Sequence, residues 1–146
     1  MTPPVVPRPW LPVLLVGSLG ALDLLTGLAM LAAPEAFATA SGLPVGVPGI
    51  TQGYGQRIAL FGLVYLFLAR MIIRGEPKAR GWLFLPFFDE ALNVLLDMQL
   101  LASGALPAAA LMPMLAVHTF FALGFAGVLL LDRLAAQTQN VETRPR

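Results

Sequence analysis

Four apolar runs constrain this chain more than anything else in it. They lie near Leu11–Ala33, Gln52–Ile73, Trp82–Ala102 and Pro107–Leu131. Each is long enough to cross a hydrocarbon layer of roughly 30 Å, which takes about 20 helical residues. Glycine and proline punctuate the gaps, at Ser41-Gly-Leu-Pro-Val-Gly-Val-Pro-Gly49, Gly75-Glu-Pro77 and Ser103-Gly-Ala-Leu-Pro107. The length of 146 residues suits one domain. Charged residues make up only 12% of it, against a usual share of roughly 25%. A mean hydropathy of +0.79 exceeds what one small buried core could hide. The expectation is an all-α, integral membrane four-helix bundle over residues 11–133. It has an N-terminal tail at 1–10 and a disordered cytoplasmic tail at 134–146.

Other classes drop out. With no cysteine there are no disulfides, thiolate metal sites or cysteine nucleophiles. A net charge of +1 leaves no nucleic-acid footprint. No phosphate-binding loop, dinucleotide glycine motif, repeat or low-complexity segment is present, and nothing implies a metal or a cofactor. The first run has Arg8 before it and small residues around Ala38-Thr-Ala40 after it, as a signal peptide would. It is longer than the usual 7–15 residues of such a segment and carries Asp23, so it reads as a span.

Orientation follows from the basic residues. Arg8, Arg70, Arg74, Lys78, Arg80, Arg133, Arg144 and Arg146 fall on one side, which puts both termini and the second loop in the cytoplasm. Trp10 and Trp82 sit at the same interface, where indoles prefer to be. Arg57 is the exception.

At about 1.5 Å per helical residue, each buried polar residue takes a depth. Arg57 and Asp97 both lie roughly 7–8 Å from the outer ends of their spans and are expected to pair. Gln56 and Gln99 lie close by. Asp23, Glu90, Asn93 and His118 form a deeper layer at roughly 13–18 Å. Glu90, Asn93 and Asp97 share one helix face by their spacing, and Asp89, Asn93 and Asp97 do so equally well. Which of Asp89 and Glu90 points inward stays open, since they lie about 100° apart. Polar residues at such depth can simply hold helices together, at about 0.6–2 kcal/mol for each hydrogen bond. His118 alone reads as a packing residue and the Arg57–Asp97 pair as structural. Four polar residues in one layer exceed what adhesion needs and point to a functional pocket. Gly17-x-x-x-Ala21, Ala29-x-x-x-Ala33 and Ala122-x-x-x-Ala126 are expected to be close helix contacts. Pro86 and Pro113 are candidate kinks.

Ala33-Pro-Glu-Ala-Phe37, Gly42-Leu-Pro44, Gly55-Gln-Arg-Ile-Ala-Leu-Phe-Gly62, Arg80-Gly-Trp82, Asp97 and His118 occur in that order. Together they resemble a small four-helix membrane family of bacteria and fungi, a domain of unknown function broadly like the DoxX-like group. The resemblance spans roughly Leu19 to Arg133, and it implies a bacterial cytoplasmic membrane and marks Arg57, Asp97 and His118. That family often has an acid directly after the arginine, where this chain has Ile58. The resemblance implies no reaction.

Four functions remain open. One is a pocket for a small apolar or lipid-like molecule, with Arg57, Asp97, Asn93, Asp89 and Gln56 as ligand-binding residues. The second is a membrane isomerase or cyclase using Asp23, Glu90 and His118 as acid and base, since desolvation favours a protonated carboxyl. The third is a proton-coupled transporter, which would need a homodimer to enclose a path. The fourth is an accessory subunit whose polar stripe meets a partner helix.

Overall fold

The computed structural model describes residues 10–44, 46 and 48–142. It is all-helical, with no strand among the described residues. Five α-helices follow one another: α1 (Trp10–Ala32), α2 (Pro34–Ala40), α3 (Pro48–Ile73), α4 (Phe84–Ser103) and α5 (Ala108–Glu142). A 3-10 turn at Ala79–Leu83 leads into α4. Pro34 ends α1 by pushing Ala33 out of helical conformation, to φ −145° and ψ 67°. Gly104 closes α4 in the left-handed region at φ 66°, which a side chain would strain.

Three helical segments are long and apolar enough to cross a membrane: Trp10–Ala32, Gly49–Ile73 and Ala108–Gln137. They mark an integral membrane protein. α4 is long enough at about 30 Å, but Asp89, Glu90 and Asp97 set it apart in composition.

α1 and α3 pack most intimately, α4 packs along α5, and α1 also touches α5. The α1–α3 seam is antiparallel and built on glycines seven residues apart. A Cβ on Gly27 would run into the backbone of Ala59 and the carbonyl of Gly55, and one on Gly62 into Leu24 and Gly20. The sequence reading expected four-residue spacings, but Ala21, Ala29 and Ala33 are exposed. Two antiparallel helices present the same face again after two turns, so the seven-residue repeat sets this contact.

An apolar core of Leu15, Val16, Leu19, Tyr65, Leu68, Phe121 and Phe125, among others, fills the half of the structure nearer the 3-10 turn. Arg80 of that turn pairs with Asp132 of α5 at 3.1 Å, tying the second loop to the C-terminal half of α5. α5 stays helical to Glu142, where the sequence reading expected a disordered tail from residue 134. Leu134-Ala-Ala-Gln-Thr-Gln holds no glycine or proline and is mostly good helix formers. Residues 1–9, the rest of the expected N-terminal tail, lie outside the described residues.

Candidate functional site

α4 carries the polar stripe because its inward residues recur at alternating spacings of three and four. Leu83 at the end of the 3-10 turn and Pro86, Glu90 and Asp97 of α4 are buried on one line, and Asn93 is half-buried on it. Glu90 and Asp97 are 2% and 3% exposed, the only buried charged side chains among the described residues. Pro86 falls in the first turn of α4, where a missing N–H breaks no helical bond.

The two acids at the start of the stripe differ in their surroundings. Glu90 is the inward one. Asp89 is half-buried beside it and accepts a 2.5 Å hydrogen bond from the Tyr65 hydroxyl. Tyr65 is wholly buried on α3, so its ring joins the apolar core while its hydroxyl crosses to α4. Asp23 on α1 is half-buried and within electrostatic range of Asp89 and Glu90, and Glu90 is within range of Asp97 too.

Asp97 pairs with His118, not with Arg57. His118 Nδ1 lies 2.7 Å from Asp97 Oδ2, bridging α4 and α5. Arg57 is exposed and forms no ion pair with any described acid. Its depth agrees with Asp97. Starting from the Tyr65–Asp89 bond, eight residues along each antiparallel helix lead to Arg57 and Asp97, about 12 Å away. The mismatch is one of direction. Gly55 and Ala59 are committed to the α1 seam, and a residue two places from each lies about 160° around the helix. Arg57 therefore points away from the interior, and Gln56 and Gln99 are exposed too.

His118 also leaves its expected layer. The depth reading set it with Asp23 and Glu90, yet it stands level with Asp97 because α5 begins beyond the end of α4. Pro113 lies inside α5, five residues before His118.

Side chains from four helices thus line one stripe at two levels: Asp23 from α1, Tyr65 from α3 and Asp89 and Glu90 from α4 at one, and Asp97 of α4 with His118 of α5 about 12 Å along it. Sequence reasoning missed Tyr65. Its signal was a phenol in an apolar span, level with the acids of a neighbouring helix. No group of three or more histidine and acidic side chains among the described residues has the geometry to hold a metal ion. In comparison with known proteins, no family model, curated protein or solved structure matches the chain.

Proposed function

We propose that the protein is a four-helix membrane bundle with both termini in the cytoplasm, whose polar interior binds a small, mostly apolar, lipid-like molecule. The observation that carries this reading is the polar stripe shared by four helices, with Asp23, Tyr65, Asp89 and Glu90 at one level and the Asp97–His118 pair about 12 Å along it. Membrane helices seldom carry so many ionisable groups for adhesion alone. Apolar side chains around them would hold the body of the ligand, and the acids would hold its polar group.

α4 serves as the fourth span in this reading, since its acids turn inward and its exposed face is Phe88, Leu92, Leu95 and Leu96. The Arg80–Asp132 pair supports the orientation by setting the basic second loop beside the C-terminal half of α5. The motif resemblance to the DoxX-like group agrees with a four-helix membrane bundle and adds no substrate.

The test is mass spectrometry of the protein purified in mild detergent. One compound should copurify in near-equal amount with the wild type and be depleted in Glu90→Gln. Recovery of the same bulk phospholipids from both proteins would overturn the reading.

A second reading, acid–base catalysis on such a molecule, is favoured by the His118–Asp97 contact. A carboxylate on Nδ1 fixes the imidazole and leaves Nε2 to exchange a proton with a ligand. A changed isomer ratio of the copurified compound in His118→Gln would separate catalysis from binding.

A further inference from the structure

The same site has more negative than positive partners, and this sharpens what it would bind. Two ion pairs occur among the described residues, Arg80–Asp132 and His118–Asp97. Neither gives a cation to Asp23, Asp89 or Glu90. Asp89 has the Tyr65 hydroxyl. Glu90 is 2% exposed, and its Oε2 has no hydrogen-bond partner. It is buried on the same inward line of α4 as Pro86 and Asp97 and stands next to Asp89. Arg57 and Arg70, the basic residues within α3, are exposed.

A buried acceptor without a donor is costly, and several carboxyls in low dielectric repel one another when ionised. A neutral lipid with a hydroxyl group would satisfy the acceptor but leave the repulsion. A quaternary ammonium would relieve the repulsion but bring no N–H. A protonated aliphatic amine does both, through a charge-assisted N–H···O bond.

We infer that the ligand is a lipophilic amine, bound as its ammonium ion with an N–H donated to Glu90 Oε2 and with Asp23 and Asp89 as flanking anions. This rests on the pocket reading above and specifies its ligand.

Three probes with one alkyl chain test it: dodecylamine, dodecyltrimethylammonium and dodecanol. Binding of each labelled probe is measured on protein in phosphatidylcholine nanodiscs, with protein-free nanodiscs subtracted. Dodecylamine should bind saturably and about tenfold or more tighter than dodecanol, with dodecyltrimethylammonium between them. Glu90→Gln should lower dodecylamine affinity about tenfold and leave dodecanol nearly unchanged. Should that variant not fold, Asp23→Asn should shift the same ratio in the same direction. Equal affinity for dodecanol and dodecylamine would overturn the amine inference and leave the pocket standing. Dodecylamine binding that neither variant alters would overturn the assignment to Glu90 and Asp23. Absence of saturable binding for all three probes would overturn the pocket itself.

Discussion

The Tyr65 hydroxyl donates to Asp89 Oδ2 across 2.5 Å, linking α3 to the helix that follows it. These two helices share little direct packing, because α3 is held by α1 and α4 by α5. The bond is therefore a main tie between neighbours in sequence. Tyr65→Phe keeps the ring in the core and removes only the donor. Reversible unfolding in mixed micelles should show a loss of about 1–2 kcal/mol. An unchanged unfolding curve would mean that the tie contributes nothing.

The glycine seam makes a sharper prediction. Added methyls at Gly27 and Gly62 would meet backbone atoms, which cannot swing aside as a side chain can. Gly27→Ala and Gly62→Ala should each cost about 1–3 kcal/mol through overpacking. Gly53 lies on α3, as Gly62 does, with open space around its Cβ direction. Gly53→Ala should be neutral or stabilising by up to about 1 kcal/mol. Similar losses at all three positions would remove the seam as the explanation.

Arg57 and Asp97 should behave as unrelated residues. Arg57→Gln is expected to change stability by no more than about 0.5 kcal/mol, as for an exposed side chain. Asp97→Asn removes a hydrogen bond to a charged group and should cost about 1.5–3 kcal/mol. Nitrogen-15 spectra of His118 supply the diagnostic readout. The wild type should carry its proton on Nδ1, and Asp97→Asn should lose that preference. A ring spectrum indifferent to Asp97 would contradict the contact.

The absence of native cysteine allows a clean topology test. Ser103 and Glu76 lie at the two ends of the α4 region, and both are exposed. Ser103→Cys should react with an impermeant maleimide from outside intact cells. Glu76→Cys should react only after permeabilisation. Labelling of both from one side would show that α4 does not cross.

Relative depth on α3 and α4 was legible in the sequence; depth on α5 and direction around each helix were not. Rise per residue put Arg57 and Asp97 at one level, as the register from Tyr65–Asp89 bears out. Which side Arg57 faced depended on the α1–α3 contact, whose glycines recur at seven rather than four. The inward turn of Glu90 needed the buried line of Leu83, Pro86 and Asp97, which a single acidic stripe left ambiguous with Asp89. His118 was displaced from its expected layer by the stagger of α5, a tertiary offset that no local pattern encodes. Tyr65 escaped notice because a tyrosine in an apolar span looks like core until its hydroxyl finds an acid.

The glycine seam also gives the chain a schedule for its own synthesis. A ribosome delivers helices from the N-terminus, so α1 must wait in the bilayer until α3 emerges. Once they close, Tyr65 and Asp23 stand ready before α4 leaves the ribosome. α4 then arrives with three carboxyls and finds the Tyr65 hydroxyl already in place for one of them, Asp89. Asp97 must wait for its partner, since its histidine lies on the last helix to be made. A chain halted after α4 has emerged but before His118 has would thus be left with Asp97 lacking its histidine.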